Sequence, residues 1–236
     1  FTDSMLESID VIKNNIDSVR KSDAAEIILI DSFHSATIEG AKTTVEDVKR
    51  AYRSRNKTKS DIMVLNSIKA TNIALQNGIN NENIRFIWET LTENVCDNIG
   101  IAGIKYRSGE VYIGNEEHIE HRPCKPNMID TYMNKLFNYD NDGMDLIKSC
   151  IEHFYFVYIH PFCDGNGRLA RLWHKVNLCR LHDNFRYITI SRAIRNNIGD
   201  YYRTIKDSEF EYNNIMDVTT FIESMLDCIA SEVYRA

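Results

Sequence analysis

The scarcity of helix-breaking residues constrains this chain more than any other feature of its sequence. Proline occurs only as Pro123, Pro126 and Pro161, and ten glycines are spread over 236 residues. Proline interrupts a helix because it lacks a backbone N–H group, and glycine weakens one because its backbone is unusually free. Long stretches without either residue predict a mainly α-helical fold.

Apolar residues at helical spacing indicate where the helices lie. Leu6, Ile9 and Ile12 begin one stripe, and Asp23 is expected to cap a second helix that ends near Gly40. Further helices are predicted from Ser60 to Gly78, over 84–96, after Pro126, from about Met144 to Ile159, from Gly165 to His182, and in two shorter segments near the C-terminus. Neither an internal repeat nor a low-complexity linker divides the chain, so we expect one domain.

The segment 100–122 has a different pattern. Apolar residues alternate on both sides of the pair Ser108–Gly109, which is typical of a β-hairpin. Two strands alone are marginally stable in water, so we expect this hairpin to pack on the helices or to receive a partner strand. The fold class is therefore predicted as a mainly α helical bundle with a small β-hairpin. The alternating residues are Ile104, Tyr106, Val111 and Ile113.

Composition excludes several classes of protein. The net charge of −6 argues against nucleic acid as a main partner, because phosphate binding favours a basic surface. No apolar run approaches the ~18 residues needed to cross a membrane. Six cysteines contain no CxxC pair, which favours free thiols in a reducing compartment. The first ten residues are acidic and polar rather than signal-like, so we expect a cytoplasmic protein.

The stretch "HPFCDGNGRLAR" at 160–171 concentrates reactive side chains between two predicted helices. Its glycine-rich turn precedes a helix, whose N-terminal N–H groups favour a bound anion. Gly165 and Gly167 permit positive backbone angles and a close approach to a ligand, and Asn166 adds an amide donor. Arg168 and Arg171 add positive charge beside the same pocket.

Two other residues of this stretch supply chemistry. His160 is a candidate general base, and Asp164 offers the hard oxygen ligands that Mg²⁺ prefers. A "DGNG" turn alone is common, and a single histidine after an apolar helix is usually structural. The conjunction of all these residues within twelve positions instead favours transfer of a nucleotide phosphate group to a hydroxyl.

The same stretch matches the Fic domain motif HPFx[D/E]GNGRxxR at every specified position. The chain thus resembles the Fic (filamentation induced by cAMP) family over most of its length. The resemblance implies a helical AMP transferase that uses ATP with Mg²⁺ or Mn²⁺ to modify a Ser, Thr or Tyr hydroxyl of a target protein. It also implies one Fic domain protein over 1–236, divided into an N-terminal region with an inhibitory helix at 1–42, a core at 43–215 and a C-terminal helix at 216–236.

Position by position, the resemblance assigns roles to the motif. His160 would deprotonate the target hydroxyl, which attacks the α-phosphate, and Asp164 would hold the metal ion. Glycine at 167, where a kinase branch of the superfamily has lysine, favours nucleotidyl transfer. Tyr201 and Tyr202 would line the pocket for the base. The residues expected to hold the phosphates are Gly165, Asn166, Gly167, Arg168 and Arg171, the last at the γ-phosphate.

The stretch "SATIEG" at 35–40 resembles the family's inhibitory pattern [S/T]xxxE[G/N] through Ser35, Glu39 and Gly40. Its place before the core resembles class II, in which the inhibitory helix is N-terminal in the same chain. Glu39 would pair bidentately with Arg171 and repel the triphosphate, while Ser35 would hydrogen-bond the Glu39 carboxylate. The alternative is an ordinary helix end with Gly40 just beyond it.

Several functions remain open at this level. The hairpin resembles the family's target-docking flap, which would bind a target strand by its edge, but it can equally be a cover over the pocket. Removal of AMP from a target, transfer of another nucleotide such as UMP, and modification of the chain itself are alternatives within the same chemistry. A non-enzymatic alternative is a nucleotide-sensing interaction module or a toxin–antitoxin module. The apolar stripe at 3–19 fits either a homo-oligomer contact or packing within the chain.

Overall fold

The computed structural model describes residues 1–114, 119–139, 145–209, 211–212 and 215–236. Within these ranges the chain forms eleven α-helices and two short antiparallel strand pairs, which confirms the predicted mainly α fold. The helices are α1 (Asp3–Asn15), α2 (Ala24–Ile38), α3 (Val45–Ala51), α4 (Lys59–Asn77), α5 (Ile84–Thr92), α6 (Ile129–Phe137), α7 (Asp145–Ile159), α8 (Asn166–Leu181), α9 (Ile190–Asn196), α10 (Ile198–Ser208) and α11 (Thr219–Arg235). The strands are β1 (Ile113–Gly114), β2 (Ile119–His121), β3 (Glu211–Tyr212) and β4 (Ile215–Met216).

Helix boundaries follow local signals in the sequence. The Asp23 side chain accepts a hydrogen bond from the backbone N–H of Ala25 and caps α2, as predicted. Thr58 and Asp61 form a capping box at the start of α4. Gly78 ends that helix with φ at +69°, a conformation that glycine adopts readily.

The central helices α7 and α8 pack against each other, and α7 carries two fully buried aromatic rings, Phe154 and Phe156. Helices near both ends of the chain cover one side of this pair, because α1 packs along α11 and α11 packs on α7. Met5 and Ile12 of α1 lie in the same apolar cluster as Phe221 of α11. The stripe at 3–19 is therefore used, at least in large part, for packing within the chain. No helix in the described part of the chain is both long and apolar enough to cross a lipid bilayer.

The hairpin predicted around Ser108–Gly109 is wrong. Ile104, Tyr106 and Val111 lie outside any strand, and Ile104 is 99% exposed whereas Tyr106 packs in the core. Arg107 is also buried, and its backbone N–H donates to the carbonyl of Pro161 at 2.9 Å. This segment therefore contacts the loop between α7 and α8 instead of forming a ladder with its own neighbours.

A strand pair does form farther along the chain. Ile113 of β1 lies opposite His121 of β2 in an antiparallel arrangement with a register shift beside it. The residues that connect the two strands, 115–118, lie outside the described ranges. Of the four residues predicted to alternate in the hairpin, Ile113 is the one that a strand contains.

Candidate active site

The loop between α7 and α8 begins with an unusual backbone conformation at His160. Its φ is +51°, in the left-handed region that residues other than glycine seldom adopt. The Arg107 guanidinium holds this turn, since its Nε donates to the His160 carbonyl at 2.8 Å and its other nitrogens donate to the carbonyls of Gly109 and Cys124. Strain of this kind is tolerated where the surroundings impose it, often at functional sites. The spacing of residues in the sequence could not have identified Arg107, because it is one arginine far from the motif.

The His160 ring is set up to accept a proton. Its Nδ1 lies 3.2 Å from the carbonyl of Val157. A carbonyl only accepts hydrogen bonds, so Nδ1 carries the proton and Nε2 is left as the acceptor. Burial lowers the pKa of His160 to about 4, and the imidazole is therefore neutral near pH 7. These are the protonation state and tautomer that a general base requires.

The Asn166 side chain closes the loop rather than facing a ligand. Its Oδ1 accepts from the N–H of Phe162 at 2.9 Å, and its Nδ2 donates to the Phe162 carbonyl at 2.8 Å. The side-chain donor predicted for the phosphates is thus already engaged. The Phe162 ring stacks on Trp88 with 4.9 Å between centroids, and the Trp88 indole N–H donates to the Asp164 carbonyl at 2.8 Å. Contacts within the protein therefore fix the loop from both sides.

Gly165 starts α8 in a conformation that requires glycine. Its φ is +75°, and a Cβ atom there would lie 2.8 Å from Cγ2 of Thr92. The neighbouring Asp164 carboxylate accepts from the N–H of Gly165 at 2.5 Å and from the N–H of Asp97 at 3.3 Å. Its side chain keeps 26% of its surface exposed, so one face remains open to an additional ligand.

Glu39 stands at the C-terminal end of α2, where two backbone hydrogen bonds fix its position. The N–H of Gly40 donates to Thr37 and the N–H of Ala41 donates to Ala36, each at 3.0 Å. Gly40 has φ at +84°, and together these features form a Schellman motif. The expected ordinary helix end is therefore present, and it also aims the Glu39 side chain towards α8.

Arg171 connects the two segments singled out in the sequence. It is 3% exposed, and its Nη2 donates to Glu39 Oε1 at 2.6 Å. Nη2 also lies 3.1 Å from the Ser35 carbonyl, and Nε donates to the Ser35 hydroxyl at 3.0 Å. Two predicted details are wrong: the structure has one Glu39–Arg171 hydrogen bond instead of a bidentate pair, and Ser35 bonds Arg171 instead of the Glu39 carboxylate. The Arg171 guanidinium has enough N–H donors to bond Ser35 and Glu39 at the same time, which explains why Ser35 contacts Arg171.

The Glu39 carboxylate lies over the first turn of α8. A Cβ atom on Gly167 would come within 2.3 Å of its Oε1. Burial by itself raises the pKa of Glu39, but the positive charges of Arg171 and Arg168 outweigh this and hold the pKa below its ordinary value. An ionised carboxylate therefore occupies a helix N-terminus, the kind of place where phosphate groups bind.

A cavity of about 360 Å³ joins these groups. Glu39, His160, Gly167 and Arg171 line it on one side, and Ile113 of β1 lies at its edge. Residues of α10, including Tyr201 and Tyr202, line the far side.

The two tyrosines differ in their surroundings. Tyr201 is buried and its hydroxyl lies 2.9 Å from Nε2 of His153, whereas Tyr202 is about half exposed. Sequence spacing gave no sign of this His153 contact, because the two residues belong to different helices. In the predicted base pocket, Tyr201 is therefore a fixed part of the wall, whereas the ring of Tyr202 is accessible.

Arg168 lies beneath the motif loop, almost completely buried. Its hydrogen bonds to the Leu91 carbonyl and to Asp164 are long, both 3.5 Å. Its Nε has no hydrogen-bond partner within the described residues. A buried cation with so little compensation favours an anion nearby.

Comparisons with known proteins agree with this geometry. Residues 79–178 match the model of the Fic/DOC family. The chain is 24% identical over 242 residues to the protein adenylyltransferase Fic of Drosophila erecta, covering 94% of this chain and 46% of that protein. It is 30% identical over 129 residues to the protein of the same name from Nematostella vectensis, covering 52% of this chain and 27% of that protein. The chain thus spans half or less of the length of these curated relatives.

A solved structure shares the fold. The crystal structure of a Fic family protein from Desulfovibrio desulfuricans G20 superposes with a TM-score of 0.84 at 24% identity, covering 100% of this chain and 74% of that one. The family match contains the motif loop and Arg107, but it excludes the Glu39 segment and α10. It is also narrower than the core predicted over 43–215.

Proposed function

We propose that the chain, which matches the Fic/DOC family model over residues 79–178, is an autoinhibited protein adenylyltransferase. It moves AMP from ATP to a Ser, Thr or Tyr hydroxyl of a target protein. The observation that carries this proposal is a neutral imidazole at His160 that shares one cavity with Arg171 and the N-terminal turn of α8. A base and an anion cradle in one cavity suit transfer of a phosphate group to an alcohol.

The transfer needs one proton acceptor and several positive groups. Nε2 of His160 takes the proton from the target hydroxyl while the hydroxyl oxygen attacks the α-phosphorus. The bond between that phosphorus and the oxygen bridging to the β-phosphate breaks, and pyrophosphate leaves with the bonding electrons. The N–H groups at the start of α8, together with Arg168 and Arg171, stabilise the negative charge that the phosphates carry.

The residues present fit a divalent cation that binds together with ATP. Asp164 offers one partly exposed carboxylate, oriented by the N–H groups of Gly165 and Asp97. Within the described ranges no group of three or more His, Cys, Asp or Glu side chains forms a complete metal site. Mg²⁺ commonly binds through one or two carboxylates with phosphate oxygens and water, and Mn²⁺ accepts the same ligands. Such an ion would supply positive charge that offsets the leaving pyrophosphate.

Autoinhibition is proposed because Glu39 competes for the groups that ATP needs. Its carboxylate lies against Gly167 and takes a donor of Arg171. A γ-phosphate cannot use that donor while Glu39 holds it, and the two negative charges repel each other. This supports an N-terminal inhibitory helix of the class II type, formed by α2.

Other parts of the expected function also remain proposals. We place the target-docking flap at β1 and β2, since Ile113 borders the cavity, and not at 104–111. A target strand would then add to this pair by backbone hydrogen bonds. Self-modification, homo-oligomer formation, the cytoplasmic location and the division at 1–42, 43–215 and 216–236 stay predictions.

Removal of AMP is a second candidate, favoured by the charge state of Glu39. A carboxylate that is ionised and partly exposed in the cavity can orient a water molecule for attack on a modified target. Incubating an AMP-modified target with wild-type protein and with Glu39→Gln tests this. Release of AMP that depends on Glu39 supports the second activity, and no release by either protein excludes it.

Labelled ATP tests the main proposal. Purified wild-type protein, Glu39→Gly and Glu39→Gly/His160→Ala are incubated with Mg²⁺ and ATP carrying ³²P at the α or the γ position. We expect label from the α position alone, strongest in Glu39→Gly and absent in the double variant. Label from the γ position alone would indicate a kinase. Binding of ATP without transfer of either label would support the nucleotide-sensing module.

A further inference from the structure

Two thiols lie in contact beside the motif loop, although they are 67 residues apart in the chain. The Sγ atoms of Cys96 and Cys163 are 3.6 Å apart. Cys163 directly precedes Asp164, and Cys96 follows α5 in the segment that packs on the loop. Neither thiol takes part in the proposed transfer. A disulfide bond requires about 2.05 Å between sulfur atoms, so the pair needs to close by about 1.5 Å.

The two thiols differ in their access to solvent. Cys96 is half-buried and lines a surface hollow of about 450 Å³, which a small oxidant can enter. Cys163 is 5% exposed. Oxidation is expected to begin at Cys96, because the accessible thiol is the one that an oxidant reaches.

We propose that Cys96 and Cys163 form an oxidation site whose oxidant is a peroxide and whose product is a reversible disulfide. In the first step the Cys96 sulfur attacks a peroxide oxygen; the O–O bond breaks, and the products are a sulfenic acid and an alcohol or water. In the second step the Cys163 sulfur attacks the Cys96 sulfur. The S–O bond breaks, and hydroxide leaves with the proton of the Cys163 thiol as water. A dithiol reductant reverses the reaction by thiol–disulfide exchange.

The disulfide would form next to Asp164, the carboxylate that we propose binds the metal ion. Each cysteine is followed by an aspartate, and these aspartates contact each other: the N–H of Asp97 donates to Asp164 Oδ2 at 3.3 Å. Trp88 also holds this place through its bond to the Asp164 carbonyl. Because the two segments are in contact, we expect closure of the sulfur atoms by about 1.5 Å to displace at least one of them. A misplacement of about 1 Å can cost roughly a hundredfold in rate, so we expect the disulfide to lower AMP transfer; this consequence rests on the proposed function.

The oxidation site is tested on the full chain without any assay of activity. Wild type, Cys96→Ser and the control Cys124→Ser are titrated with hydrogen peroxide, and their peptides are mapped by mass spectrometry without reduction. Cys124 is a suitable control because it is also half-buried and lies outside the pair. We expect a peptide linked through Cys96 and Cys163 in wild type and in the control, absent from Cys96→Ser and lost with dithiothreitol. Over-oxidation of Cys96 without that peptide, or pairing of Cys96 with another cysteine, would overturn the proposal.

The Trp88 ring reports whether the loop responds. In a Trp173→Phe background Trp88 is the remaining tryptophan, and its ring stacks on Phe162 in the loop. We expect a fluorescence change on oxidation that requires Cys96 and reverses with reductant. An unchanged Trp88 signal in fully linked protein would contradict the transmission to the loop.

The effect on function is measured separately in Glu39→Gly, which is expected to be active. Oxidation should reduce its rate of AMP transfer by tenfold or more, and reductant should restore the rate. An unchanged rate in the linked protein refutes the functional consequence alone. If the reduced protein transfers no AMP at all, the proposed function fails, while the linked peptide and the Trp88 signal still decide the oxidation site.

Discussion

Replacing Glu39 by glycine should activate the protein, and the structure gives the size of the effect. The carboxylate makes one charge-assisted hydrogen bond to Arg171 at 2.6 Å. Such bonds contribute about 1.5–3 kcal/mol. The Glu39 side chain is 31% exposed, so solvent screens the pair and the lower end of this range applies. About 1.5 kcal/mol corresponds to roughly a tenfold gain in affinity for the triphosphate.

Two substitutions separate charge from volume. Glu39→Gln keeps the shape of the side chain and removes its charge, whereas Glu39→Gly also clears the space over Gly167. We expect ATP affinity to rise in the order wild type, Glu39→Gln, Glu39→Gly when it is measured by calorimetry with Mg²⁺. The initial rate of α-label transfer at saturating ATP should rise at least tenfold in Glu39→Gly, because the phosphates can then take the position required for in-line attack.

Calorimetry makes this test independent of the target protein. Equal ATP affinities for all three proteins would show that Glu39 does not compete with the triphosphate. A rise in affinity without a rise in rate at saturating ATP would confine Glu39 to binding and refute inhibition through phosphate geometry. Glu26, an exposed carboxylate of α2 paired with Lys49, provides a control, since Glu26→Gln should change neither quantity.

Four further outcomes follow from the same contacts. His160→Ala should abolish AMP transfer and leave ATP affinity within about twofold, because the ring accepts a proton and does not carry the phosphates. Since the pKa of His160 is lowered to about 4, transfer by the activated protein should persist as pH falls through about 6.5, where an ordinary histidine protonates, and decline only towards pH 4. Ser35→Ala removes one acceptor of Arg171 and should raise the transfer rate, but by less than Glu39→Gly does. Gly165→Ala should lower the free energy of unfolding by about 1–2 kcal/mol in urea titrations, because alanine is strained at φ +75° and would press on Thr92.

The sequence predicted the motif loop well because its geometry is encoded in neighbouring residues. A helix start directly after Gly165, a histidine before a proline and two arginines on one turn are local features. The stop of α7 at Ile159 and the start of α8 at Asn166 agree with them. The cap at Asp23 and the stop at Gly78 were predictable for the same reason.

Contacts between distant segments were not predictable in this way. Arg107 supports the His160 turn across 53 residues, and Ser35 reaches Arg171 across 136. Alternation around Ser108–Gly109 resembled a hairpin because short-range patterns do not report that the residues beside the turn are buried against another loop. Here tertiary packing outweighs strand propensity.

We propose that the phosphates of ATP bind at the start of α8, in the place that Glu39 now occupies, with His160 beside the α-phosphate. A crystal structure of Glu39→Gly with Mg²⁺ and a non-hydrolysable ATP analogue tests it most directly. We expect phosphate oxygens on the N–H groups of α8 and on Arg171, with Nε2 of His160 facing the open side of the α-phosphate. Phosphates bound elsewhere, or an imidazole turned away from them, would contradict it.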